Sequence, residues 1–144
     1  MSNIDFIPEN KLEELLIELH KDLRQEKSFN EELLKSDLYV FAESEKVELD
    51  ENGYSRREST IWIKDILYKD KMAVLVFTSL SCVSNFIYQT EFMKENESYF
   101  ASTGSVLLRS ILESPKKIDL IIINAKTPYE LHTTPQKIAH VLKK

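Results

Sequence analysis

Hydrophobic positions near the start of the chain follow a helical period. Leu12, Leu15, Leu16, Leu19 and Leu23 recur at intervals of three and four and build one apolar stripe, which predicts an opening helix. Asn10 followed by Glu13 has the spacing of a capping box at its start. On the other side Glu14, Glu18 and Asp22 stand at i, i+4 and i+8, an acidic ridge that slightly destabilises an isolated helix and could serve as a recognition strip. Ser28 and Glu31 repeat the capping spacing ahead of Leu33 and Leu34, so a second, short helix is predicted.

The pattern then changes to strand chemistry. Leu38-Tyr39-Val40-Phe41 is rich in aromatic and β-branched side chains, and Asn52-Gly53 supplies the two positive-φ positions of a tight hairpin turn. A return strand is expected over about Ser59 to Leu67, with Tyr68-Lys69-Asp70-Lys71 as the next turn. Met72 to Phe77 is continuously apolar and reads as a central strand covered on both faces. These three strands form a predicted meander. Helical spacing returns at Val83, Phe86 and Ile87, and after a polar stretch a third helix runs from about Ser105 to Glu113, ended by Pro115. Ile118 to Ile123 is a second buried strand, and Asn124 to Tyr129 is a loop broken by Pro128. Thr134-Pro135 reads as N-cap and first turn of a final helix with Ile138, Val141 and Leu142 on its apolar face. The expectation is an α/β (α+β) fold: a central mixed sheet with a three-strand meander and packed helices, one domain over residues 1–144 without internal repeats.

Composition narrows the chemistry. Apolar residues make up 42% of the 144 positions and charged residues 30%, the balance of a chain that folds around a core. There are only two glycines, Gly53 and Gly104, so the glycine-rich phosphate loops and the nucleophile elbow are excluded. A net charge of −5 argues against capture of nucleic acid or an anionic membrane surface. The charge is uneven: residues 1–58 carry net −8 and residues 59–144 net +3, compatible with a partner that meets the acidic half or with a solvated face. One cysteine, Cys82, cannot form an internal disulfide, no secretory leader is evident and no apolar run is long enough to span a bilayer, so a cytoplasmic location is expected.

The order of elements and several short words of sequence resemble the N-terminal domain of the SseB family, named for enhanced serine sensitivity in bacteria. The words are the opening amphipathic helix, Phe29 with Leu33-Leu34 running into Leu38-Tyr39-Val40, the strand ending Val76-Phe77-Thr78-Ser79, and Ile118-Asp119-Leu120-Ile121-Ile122-Ile123-Asn124 followed by Glu130-Leu131-His132-Thr133-Thr134-Pro135. Members of that family usually continue the Asn with Pro and Gly, where Ala125 and Lys126 stand here. The resemblance implies an α/β sandwich-like domain in the bacterial cytoplasm with no established catalytic activity.

Candidate chemistry is sparse. Cys82 lies just past a buried strand near a helix start, a place where a thiol can be activated, but a nucleophile also needs a base among His20, His132 and His140; a buried structural cysteine is the simpler reading. Glu48 to Gly53 matches the first half of a calcium loop, but Ser59 stands where the bidentate Glu belongs, so a hairpin is expected and no metal or other cofactor. Arg56-Arg57 and Lys116-Lys117 are isolated basic pairs that read as solvated turns. If the two buried strands are parallel neighbours, Thr78, Ser79, Asn124, Lys126 and Thr127 meet at their carboxyl edge, where open α/β sheets place ligand crevices, with Tyr129 and His132 as flanks. Strand capping by Asn124 and a plain turn at Thr127-Pro128 would use the same residues.

The function expected is a non-enzymatic protein-interaction domain that binds a protein partner through the acidic first half, at Glu14, Glu18 and Asp22, or through the strand-end crevice. One version is a small acidic neutraliser of a basic toxin or effector. A small-ligand binder or weak enzyme centred on Ser79, Cys82, Asn124 and His132 is the alternative, and a homodimer is compatible with the chain.

Overall fold

The computed structural model describes residues 7–42, 63–90, 98–113 and 117–142. Helix α1, Lys11–Lys21, begins as its sequence predicts, with the Asn10 side chain accepting from the Glu13 amide at 2.9 Å. It ends at Asp22, whose extended backbone (φ −150°) starts a 3₁₀ turn over Leu23–Gln25. Leu23 therefore leaves the predicted stripe and is 80% exposed. Helix α2, Glu26–Lys35, starts two residues before Ser28, carried in by that turn and without a side-chain cap. It buries Phe29 and Leu33.

Five further strands surround β3, Lys71–Phe77: β1, Asp37–Ala42; β2, Asp65–Tyr68; β4, Ser98–Thr103; β5, Leu120–Ile123; and β6, Leu131–Thr133. The sheet runs β4-β1-β3-β5-β6, with β2 also on β3. All pairs are antiparallel except β3 with β5, which are parallel and in register from Ala73↔Leu120 to Val76↔Ile123. The expected succession of β1, β2 and β3 is modified in one respect. β2 pairs with the first half of β3, and β1 takes the other half directly through Tyr39↔Phe77 and Val40↔Val76. The Asn52-Gly53 hairpin, the segment Glu48 to Gly53 and Pro115 lie outside the described residues.

Alternation along the strands divides the core in two. Leu38, Val40, Val74, Val76, Ile121 and Ile123 face one layer, formed by α1, α2, α4 (Gly104–Glu113) and α5 (Pro135–Leu142). Phe41, Ala73, Leu75, Phe77, Leu120 and Ile122 face the other, covered by α3, Leu80–Thr90. There Phe41, Phe77 and Phe86 make three ring contacts with centroids 5.4–5.8 Å apart. The continuous apolar runs of β3 and β5 are thus buried on both faces, as strands of this composition require.

Gly104 opens α4 at a close crossing. Its amide donates to the Ser36 carbonyl at 2.7 Å, and a Cβ there would overlap the Leu33 carbonyl oxygen. Positive φ is instead adopted by Lys69 (46°), Asp70 (68°), Asn124 (56°) and Lys126 (67°). The first two form the predicted β2–β3 turn, whose left-handed central pair matches the twist of a hairpin. Lys126 stands where the resembled family carries glycine, and its backbone conformation is one that glycine favours.

Candidate functional site

The parallel alignment of β3 and β5 brings their carboxyl ends together. There Thr78, 1% exposed, meets Asn124, fully buried, and the Asn124 side chain engages both the backbone and the side chain of Thr78. The Thr78 amide donates to Asn124 Oδ1 at 3.0 Å, and Asn124 Nδ2 donates to Thr78 Oγ1 at 2.8 Å. The Asn124 amide continues the ladder by donating to the Val76 carbonyl at 2.8 Å. Asparagine suits this place twice over, because it tolerates a left-handed backbone and carries both a donor and an acceptor.

The edge is closed by the first turn of α1. Asn10 Nδ2 donates to the Thr78 carbonyl at 2.9 Å, so two asparagines hold the same residue through different groups. Glu13, 1% exposed, turns its carboxyl group inward. One oxygen accepts from the Glu9 amide at 2.9 Å; the other accepts from the Thr78 hydroxyl and from the Cys82 thiol, whose sulfur lies 3.5 Å away. Glu13 thus completes only half of the anticipated capping box, since its side chain returns to the amide of Glu9 and not to that of the cap residue. Ser79, 7% exposed, caps α3 by accepting from the Cys82 amide at 3.3 Å.

This arrangement opposes nucleophilic chemistry. Burial pushes the Cys82 thiol up to about 11; the hydrogen bond from Ser79 pulls the other way, and the nearby Glu13 carboxylate raises it further. A thiol so placed is protonated at neutral pH. Two of the three histidines are engaged elsewhere, and the third, His140, lies on α5. His20 Nδ1 lies 3.0 Å from the Leu16 carbonyl oxygen with its ring edge-on to Tyr129, and His132 stacks edge-on to Tyr68. Among the described residues no three His, Cys, Asp or Glu side chains converge as metal ligands.

The outer residues of the predicted crevice form a separate, solvated cluster. The Lys126 amide donates to Glu130 Oε1 at 2.9 Å, and its carbonyl accepts from Asn85 and Gln89 of α3, each at 3.2 Å. Glu130 Oε2 is 2.7 Å from His132 Nε2. Partial burial pushes the Glu130 carboxyl up, but the Lys126 amide and the His132 ring outweigh it and hold the group below its ordinary value. Thr127 Oγ1 donates to the Asn124 carbonyl at 2.8 Å and accepts from the Tyr129 amide at 3.2 Å, closing the turn. Of the residues expected at this edge, Thr78 and Thr127 both bond Asn124, Ser79 caps α3, and Lys126, Tyr129 and His132 face other neighbours.

On the acidic ridge, Glu14 and Glu18 are exposed and line a shallow hollow of about 400 Å³ with Pro8, Lys11, Leu15 and Ile17. Asp22 leaves the ridge: it accepts from the Arg24 side chain at 3.0 Å and from the Arg24 amide at 3.0 Å, contacts that lower its carboxyl below the ordinary value. Sequence reasoning missed Asn10 and Glu13 as parts of the strand-end network, because capping alone accounts for both residue types at that spacing.

Among curated proteins, none matches this chain. A family model described as the SseB protein N-terminal domain matches residues 12–140, from the buried leucine of α1 to the last turn of α5. That match takes in the sheet and most of the described helical layer, with Glu13, Thr78, Cys82 and Asn124 of the strand-end network, and the chain belongs to the SseB N-terminal domain family.

Proposed function

We propose that this chain is a non-enzymatic protein-interaction domain of the bacterial cytoplasm, acting through its exposed surface on a protein partner. The observation that carries the reading is the closed strand-end network. The side chains most suited to chemistry, Thr78, Cys82, Glu13 and Asn124, are buried and hydrogen-bonded to one another, with the thiol held protonated. A substrate would have to displace α1 to reach them. The small-ligand alternative at Ser79, Cys82, Asn124 and His132 loses support for the same reason.

The exposed carboxylates of Glu14 and Glu18 favour a partner with a basic face, such as a toxin or effector to be neutralised. Affinity capture from the source cell with the natural chain and with Glu14→Lys/Glu18→Lys tests this. The expected result is a stoichiometric protein lost on charge reversal. Rapid iodoacetamide modification of Cys82 at neutral pH in the folded protein, together with saturable small-molecule binding that protects it, would overturn the reading.

A further inference from the structure

The helical layer contains a second concave surface, unrelated to the strand ends. Helices α2 and α5 both pack against α4 and leave a groove of about 910 Å³ between them. Its floor is apolar, made by Leu34, Ile138 and Val141. Its walls differ in charge: α2 contributes Glu26 and Glu31 beside Lys27, while α5 contributes Lys137 and His140 and no acid. Among the described residues these wall side chains take part in no ion pair, although Glu32 and Lys35 on the same α2 pair at 3.9 Å. An apolar centre with an unengaged polar rim is the anatomy of a protein interface.

We infer that this groove docks an amphipathic helix of a protein partner, with basic side chains along the flank that meets α2 and acidic ones along the flank that meets α5. This rests on the interaction-domain reading and names a second surface for it. The shape requires a convex occupant: two copies of the groove set face to face would join their walls and leave the apolar floors apart. Length agrees, since the ten residues of α2 extend about 15 Å, close to three turns of a docked helix. Such a helix offers its i, i+3, i+4 and i+7 side chains to the floor while its flanks answer the two walls.

The probe is a stapled helical peptide of about 14 residues with a leucine stripe, lysines along one flank and glutamates along the other. Titration into the isotope-labelled full chain should give saturable NMR shifts at Leu34, Thr133, Ile138 and Val141. Lys137→Glu and Glu31→Lys, both at exposed positions, should each weaken binding by about threefold, and Leu34→Ala more. A peptide with glutamates on both flanks should bind more weakly than the mixed one, the difference shrinking with salt.

Absence of saturable shifts at these residues, or affinity indifferent to both charge reversals, overturns the proposal. Self-association without peptide that shifts the same residues overturns it in favour of a second copy. Partner capture lost on Glu14→Lys/Glu18→Lys with no peptide at the groove would sink the groove alone and leave the interaction reading standing.

Discussion

Asn124 and His132 lie on the same stretch of chain between β5 and the end of β6, yet they belong to different kinds of polar structure. Around Asn124 each polar group is matched: its amide nitrogen and oxygen both serve Thr78, whose hydroxyl serves Glu13, whose other oxygen serves Glu9. Water is excluded there, so each bond lost strands its partner. Around His132 the polar groups are partly exposed and the pair with Glu130 competes with solvent. The same residue types that suggest a ligand crevice at a polar strand edge become scaffold when a neighbouring helix supplies the missing acceptors.

Removing an acceptor from the buried, inner half should have the largest effect. Glu13→Ala leaves the Thr78 hydroxyl, the Cys82 thiol and the Glu9 amide without an acceptor, and should cost about 3 kcal/mol in urea denaturation. Glu14→Ala, one residue away and exposed, should stay within about 0.5 kcal/mol. Equal effects of the two would show that the inward carboxyl group is not a structural keystone. A smaller loss, about 2 kcal/mol, is expected for Asn124→Ala, which removes the amide and leaves alanine at φ 56°. Asn124→Gly relieves the backbone and should recover about 1 kcal/mol of it. If the two variants are equally stable, the left-handed backbone contributes nothing.

Much of this fold is legible from spacing, and the places where it is not share a cause. The continuous apolar runs of β3 and β5, the leucine stripe of α1 as far as Leu19 and the Thr134 cap each carry a local signal, and each is observed. Strand β4, Ser-Tyr-Phe-Ala-Ser-Thr, escapes because it lies at the sheet edge on β1 and needs little apolar alternation. Three-residue β6 is too short to show a period. The strand-end meeting follows from parallel pairing, but its closure does not, since it depends on Glu13 lying 65 positions from Thr78 in sequence. Glycine count misleads in a related way. Among the described residues the turns that adopt positive φ use Lys, Asp and Asn, while Gly104 serves close packing, so poverty in glycine excludes phosphate loops without telling where the chain turns left-handed.

The inner half also predicts a response to alkali. Burial raises the folded Cys82 thiol from an ordinary 9.0 to about 11, so the native state holds this proton more tightly than the unfolded chain does. The stability contributed is fully present below pH 9.0 and is lost as pH rises through about 11. Cys82→Ala removes the titrating group, so the stability difference between natural chain and variant should narrow across that window in denaturant melts. A constant difference would mean that the thiol ionises without penalty, which is incompatible with a dry network.

The outer half should answer at the opposite end of the pH scale and far more weakly. Glu130 is lowered from an ordinary 4.5, against the opposing push of its partial burial, by the Lys126 amide and by His132. A depressed carboxyl group stabilises the fold above its unfolded pKa, and that contribution is lost as pH falls through the lower folded value. Because the pair is solvated, the contribution should be no more than a few tenths of a kcal/mol. Glu130→Gln should therefore lie slightly below the natural chain near neutrality and converge with it in acid, with the gap shrinking in high salt. A gap as large as that of Glu13→Ala would erase the distinction between the two halves and return Glu130 and His132 to the structural network. A small, salt-sensitive gap leaves them as surface groups whose removal costs the fold almost nothing.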